Sequence, residues 1–310
     1  MGSFKDKIRN NFWGEYLISC YHCLMCKLAP AFVSDEKAVR KFYKKKTGKD
    51  LNLNNPKSFS EKMNWYKLND RNPLMAKCAD KVGVREYVSG KGYESCLNEV
   101  YGIYDKVSDI NLDNLPNRFV IKAAHGSHMV YIVKDKTRFD WKHAKKMMKT
   151  WLHQDIYWSG REWVYKDLPK RILIEKYLED ETGELRDYKF FCFHGKPIFM
   201  EADIGRYTNH VRNFYDMDFN LIDVSCEFPN DKSIEVVKPL QFEEMKKIAG
   251  DLSEPFQHAR VDLYLIHDKV YFGEITFFHN SGITWFKPES YDEYFGSFWK
   301  IKEEEQNELQ

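Results

Sequence analysis

The amino-acid sequence predicts a mixed α+β protein, and three observations carry that expectation. Capped, amphipathic helical stretches dominate the first part of the chain up to Val88. Short segments of alternating polarity begin near Leu97 and recur to Glu201. Arg260-Val-Asp-Leu-Tyr-Leu-Ile266 and Val270-Tyr-Phe-Gly-Glu-Ile-Thr276 both alternate around a polar His267-Asp268-Lys269 turn, the pattern of a β-hairpin.

Residues 1 to about 48 read as helices, with Asp35 as N-cap before Lys37–Lys46. Asn52-Leu-Asn-Asn-Pro56 breaks that pattern, and Ser58 with Glu61 has capping-box spacing for a helix through about Leu68. After the break at Asp70-Arg-Asn-Pro73, Met75 to Val88 reads as one helix. Arg118–Lys122 and Met129–Val133 are strands joined by His125-Gly-Ser-His128, and Trp141–His153 is a helix. Arg171–Glu175 is a strand, Asp187–Phe193 is another with a Gly195-Lys-Pro197 turn after it, and Gln241–Gln257 is an amphipathic helix leading into the hairpin. The organisation expected is a basic helical segment (1–50), a second region (51–114), a smaller lobe (115–178), a larger lobe (179–298) and an acidic tail (299–310).

The hairpin is the most informative feature. Folded about Asp268, it pairs Asp262 with Glu274 and Arg260 with Thr276 on one face, because side chains alternate with period two. Two carboxylates with Cβ atoms roughly 5 Å apart repel each other. A positive charge belongs between them, and a hard divalent cation that takes carboxylate oxygens, such as Mg²⁺, is the natural candidate. A one-residue bulge would instead send the acids to opposite faces.

Composition bounds the function classes. A net charge of +1 and no recognition motif argue against nucleic-acid binding. Seven scattered cysteines favour reduced thiols and a cytoplasmic location, and neither a signal segment nor a spanning helix is expected. Residues 1–50 hold eleven Lys/Arg against five acids, with Phe12, Trp13 and Tyr16 nearby, which suits peripheral contact with an anionic membrane surface; a solvated helix is the plainer reading. Cys20, Cys23 and Cys26 fall one short of a four-ligand zinc or iron–sulfur site and share one helical stripe.

Lys122 ends a strand before the turn His125-Gly126-Ser127, where a glycine lets backbone amides approach phosphate and a lysine supplies a point charge. Ile172–Leu178 runs into a polar connection that offers backbone groups to an adenine. Together with Arg260-Val-Asp262, Phe272-Gly-Glu-Ile-Thr276 and Gly282, these segments resemble in order the motifs of the ATP-grasp superfamily, over roughly residues 75–290. Asp187-Tyr-Lys-Phe-Phe-Cys-Phe-His-Gly-Lys-Pro197 and Arg212-Asn-Phe-Tyr-Asp216 resemble its TupA-like branch, which is named for teichuronopeptide biosynthesis.

The resemblance implies ATP clamped between two α+β lobes. Lys122 and Lys189 would contact phosphates, with His125, Gly126 and Ser127 beside them; Glu175, Lys176, Tyr177 and Leu178 would line the adenine, and Asp187 the ribose. Asp262, Glu274 and Thr276 would carry Mg²⁺, Thr276 standing where the superfamily has Asn, with His279 or Asn280 as other third ligands. Arg260 would brace the phosphoryl group, and Arg206 and Arg212 would hold an anionic substrate such as a uronic acid. The activity implied is ATP-dependent carboxylate–amine ligation through an acyl phosphate in surface-polysaccharide synthesis, joining a saccharide or sugar acid to an amino acid or other amine. A sugar kinase, a glycosyltransferase using Asp216-Met-Asp218, and a non-catalytic assembly subunit are the rival readings.

Overall fold

The computed structural model describes residues 33–180, 185–205, 209–234 and 236–301. Arg206, residues 1–32 of the basic start with Cys20, Cys23 and Cys26, and the acidic tail beyond Ile301 lie outside these residues. The chain divides into two compact units, Met1–Phe42 with Val100–Tyr177, and Tyr43–Glu99 with Leu178–Gln310.

The helices are α1 (Asp35–Thr47), α2 (Phe59–Asn69), α3 (Pro73–Ala79), α4 (Gly83–Gly90), α5 (Trp141–His153), α6 (Tyr157–Gly160), α7 (Phe242–Ser253) and α8 (Ser290–Ser297). The first unit is built on an antiparallel sheet of β1 (Val100–Tyr104), β2 (Phe119–Ala123), β3 (Val130–Val133) and β4 (Ile172–Lys176), in the order β1-β4-β2-β3. Alternation puts Phe119, Ile121, Ile172 and Ile174 against Ala144, Met148 and Trp151 of α5, whose first turn Asp140 caps at His143 N. The opposite face carries Lys122 and Glu175.

The second unit holds β5 (Asp187–Phe193), β6 (Lys196–Ile204), β7 (Val211–Asp216), β8 (Leu221–Ile222), β9 (Ser225–Cys226), β10 (His258–Ile266), β11 (Lys269–Thr276) and β12 (Phe286–Lys287). Six of them form a sheet in the order β11-β10-β5-β6-β7-β8. One face packs under α7, whose Phe242 meets Phe190 with ring centroids 5.9 Å apart. The other face has an apolar end, where Phe191 and Phe193 pack on Phe59 of α2. Ser58 caps α2 with the reciprocal Glu61 bond that the spacing predicts. The helix is buried nearly all round, Lys62 and Lys67 included, so no amphipathic stripe marks it.

Three local expectations are corrected. Ser34, not Asp35, caps α1 by accepting Lys37 N at 3.3 Å, and Asp35 instead takes hydrogen bonds from Tyr157 and Arg161. The stretch from Met75 to Val88 is two helices, because the Asp80 carboxylate accepts Val82 N at 3.1 Å and ends the first. The hairpin turn is the two residues His267-Asp268, with Ile266 opposite Lys269 and His267 at φ +52°. That shifts the tip by one residue. A bulge at Gly273 shifts it back, so Asp262 still faces Glu274.

Among the described residues no helix is long and apolar enough to cross a membrane. A Cβ at Gly273 would lie 2.9 Å from the Asp262 carbonyl oxygen. Gly273→Ala is therefore expected to cost roughly 1–3 kcal/mol of stability, read by urea denaturation; an unchanged midpoint would show that the bulge accommodates a side chain.

Candidate active site

The site follows from register. Asp262 pairs with both Glu274 and Lys189, Lys189 with Glu201, Asp187 with Asp203, and Asp203 with Arg212. Cross-strand partners share a face, so five strands lay a belt of mixed charge across the sheet. Nearly all of these side chains are buried; Glu274 is 37% exposed and forms the open end.

Arg260 resolves the repulsion between the two acids. Its Nε and Nη2 donate to the two oxygens of Asp262, both at 2.7 Å, and Nη2 lies 3.2 Å from Thr276 Oγ1 and 3.4 Å from Glu274 Oε1. The positive charge that the pairing demands is thus supplied by the chain itself. Lys81 Nζ adds a weaker contact, 3.9 Å from Glu274 Oε2. Burial pushes the Asp262 carboxyl up to about 7, against the pull of Arg260.

A second knot lies on β5, β6 and β7. Asp203 receives Lys189 and, at 2.7 Å, Arg212 Nε; Arg212 Nη1 donates to Glu227 at 3.0 Å. Burial raises the Asp203 carboxyl, but Lys189 and Arg212 together hold it well below the usual carboxylate range. Lys189 also stands 3.8 Å from Asp187. The two cations expected to meet phosphate and substrate are therefore engaged with carboxylates of their own chain. Asp216 likewise accepts Asp218 N, Asn220 N and Asn220 Nδ2 at 2.8–2.9 Å, so Asp216-Met-Asp218 closes a turn.

His279 links the two groups. Its Nδ1 lies 2.7 Å from Arg260 Nη1, and since a guanidinium only donates, Nδ1 is the acceptor and the proton sits on Nε2. Its Nδ1 lone pair is thereby taken, which sets His279 apart from a third metal ligand. Nε2 points to Glu201 Oε1 at 3.7 Å, and Arg212 Nε is 3.6 Å from Glu201 Oε2. Sequence reading missed Glu201 and Asp203, and named His279 only as an alternative third metal ligand. The signal present was Phe199-Met-Glu-Ala-Asp203, acids at alternate positions of an otherwise apolar strand.

Lys122, His125, Gly126, Ser127, Glu175, Lys176 and Tyr177 belong to the first unit. Lys122 pairs with Glu175, Tyr177 lies under the Arg118 guanidinium at 4.4 Å, and His125 Nε2 is 2.9 Å from the Trp151 carbonyl. Space beside Gly126 is taken by Ile156 and Met129. Lys176 and Ser127 are exposed, and Leu178 opens the later segment of the second unit.

Among the described residues no group of three or more His, Cys, Asp or Glu is arranged to hold a metal. Two carboxylates and the Thr276 hydroxyl are nonetheless hard oxygen donors on one face. Such a set suits Mg²⁺ completed by phosphate oxygens and water rather than an all-protein cage.

The sequence profile described as TupA-like ATPgrasp matches residues 61–300. The chain belongs to the TupA-like ATP-grasp family. No curated protein matches it. Among solved structures, this TupA-like ATP-grasp chain is similar to D-alanine–D-alanine ligase from Bacillus anthracis complexed with ATP (18% identity, TM-score 0.40, 66% of this chain and 57% of that one). It is also similar to the D-alanine–D-alanine ligase from Helicobacter pylori (17%, 0.38, 66% and 52%) and to ATP-grasp ligase PsnB complexed with a phosphomimetic variant of minimal precursor, Mg and ADP (8%, 0.38, 70% and 58%). The chain thus spans between 52% and 58% of the length of these three.

Two outcomes follow from this geometry. Asp262→Asn leaves the Arg260 guanidinium buried without its bidentate partner and is expected to cost about 3–5 kcal/mol, whereas the more exposed Glu274→Gln should cost under about 1 kcal/mol, both read by chemical denaturation. Equal small losses would show that the pair is solvated. Burial also lowers the His258 imidazole to about 3 and that of His279 well below its ordinary value. Between about pH 4 and 6 the unfolded chain binds two protons there that the native state refuses, while native Asp262 keeps one that the unfolded chain releases. Net, stability should rise by about 1.4 kcal/mol per pH unit in that window; a flat profile in urea would show that one of the imidazoles is charged.

Proposed function

We propose that this chain is an ATP- and Mg²⁺-dependent ligase that activates a carboxylate as an acyl phosphate and passes the acyl group to an amine. The observation that carries the reading is the opposed pair Asp262 and Glu274, with Arg260 beside them on a largely buried sheet face of mixed charge. Membership of the TupA-like ATP-grasp family supports it.

In this reading Asp262, Glu274 and Thr276 hold Mg²⁺, which when bound neutralises phosphate charge. Lys189 and Lys122 face phosphate oxygens, Asp187 the ribose, and the Glu175–Leu178 segment the adenine, with His125, Gly126 and Ser127 near the phosphates. Charge grows on the transferred phosphoryl oxygens, so positioning and electrostatic stabilisation supply most of the catalysis. Arg260 steadies that charge, and the amine then attacks the acyl carbon and phosphate leaves. Arg212 and Arg206 hold the anionic acceptor. The acceptor class we assign is a saccharide or sugar acid of a surface polysaccharide, the amine an amino acid or related compound, and the setting the cytoplasm, peripheral at the inner face of the membrane. A non-catalytic assembly subunit is the second reading, favoured by Thr276 in place of a carboxamide.

With Mg-ATP, a uronic acid and an amino acid, the ligase releases phosphate only when both acceptors are present. Phosphate retained on the sugar would instead indicate a kinase, and no ATP-dependent rise in melting temperature the assembly subunit. Glu274→Gln is expected to lower that phosphate release by roughly 10²-fold or more with its fold intact; unimpaired turnover would remove Glu274 from the site.

A further inference from the structure

Arg260 stands where a cation between Asp262 and Glu274 would stand. Nε and Nη2 take both Asp262 oxygens at 2.7 Å, and Nη2 also reaches toward Thr276 Oγ1 and Glu274 Oε1. A divalent cation would draw on the same three side chains and bring two further positive charges against the guanidinium in a buried setting, where screening is weak. We propose that Arg260 and the divalent cation are alternative occupants of the Asp262–Glu274 pair, so that metal entry requires the guanidinium to leave Asp262. This rests on the Mg²⁺ reading above and deepens it.

The surroundings give the displaced charge somewhere to go. Nη1 is bonded to His279 Nδ1, on the side away from the Asp262 grip. Beyond His279 lies Glu201, fully buried, neither of whose oxygens has a hydrogen-bond donor. Arg212 Nε and His279 Nε2, at 3.6 and 3.7 Å, fall short of hydrogen-bonding distance to it. A buried carboxylate without donors is costly as it stands. Moving the guanidinium from Asp262 toward His279 brings further positive charge toward the anion that lacks a donor and bares the anion that a metal needs. In the metal-free state the Asp262 charge is already matched, so a metal ion alone competes poorly. It enters with the nucleotide, whose phosphate oxygens would complete its coordination.

The test is Mn²⁺ binding to the intact chain without nucleotide, followed by electron paramagnetic resonance. Arg260→Gln removes the competing charge and is expected to bind Mn²⁺ at least tenfold more tightly than wild type; Arg260→Lys, a cation without the bidentate fork, falls between them. Equal or weaker binding by both variants, while wild type binds Mn-ATP, overturns the exchange and leaves the metal site standing. No Mn²⁺ on any of the proteins, with or without ATP, overturns both. If Arg260→Gln does not fold, the Arg260→Lys comparison decides alone, and no gain over wild type refutes the proposal.

Discussion

The bidentate Arg260–Asp262 ion pair is the constraint on which the charged face depends. Asp262 is buried within a sheet, where an unmatched carboxylate is costly. Its partner is two residues away on the same strand and same face, so the match is built into β10 itself. Other charges of the belt are matched across strands, with Arg260 set among Asp262, Glu274 and His279, and Asp203 held by Lys189 and Arg212, whereas Glu201 accepts no hydrogen bond. Buried ion pairs contribute little net stability against an apolar alternative, which makes a whole belt of them a functional signature rather than a structural economy.

The frame around this belt is stiff. Its charges stand on strands joined edge to edge, and α2 braces the loop that follows β11. Asn64 donates to the Gly282 carbonyl and Lys67 to that of Ser281, both at 2.7 Å. Those bonds secure three successive residues at positive φ, Asn280, Ser281 and Gly282, a conformation that side chains ordinarily avoid. His279 opens this turn, so its link to Arg260 is set by a helix more than two hundred residues earlier in the chain. A preorganised array of this kind suits chemistry whose demand is the placement of charge around a transferring phosphoryl group.

Much of the candidate site was legible because strands obey period two. Asp262 faces Glu274 and Arg260 faces Thr276, as counting along the hairpin predicts. The turn is one residue shorter than expected and the Gly273 bulge adds one back, so two local departures cancel at the acids. Where a side chain had a competing use, spacing alone did not reveal it. Asp80 stops a helix that periodicity would continue, and Asp216 serves a turn. Arg212 and Lys189 were read as ligands for an anion from outside, yet the anions that engage them come from β5, β6 and the segment after β9, which no spacing rule connects.

The sequence by itself determined most of the elements, the capping box of α2, the facing of Asp262 and Glu274 and the family, since each depends on residues close in the chain or on motifs in a set order. The tertiary structure alone decided which charge neutralises which. Electrostatic partnership depends on distance in space and on exclusion of water, and both are set only when β5, β6, β7, β10 and β11 lie side by side. The cation between Asp262 and Glu274 was foreseen from their repulsion; that it is an arginine already present in the chain became visible only in the fold.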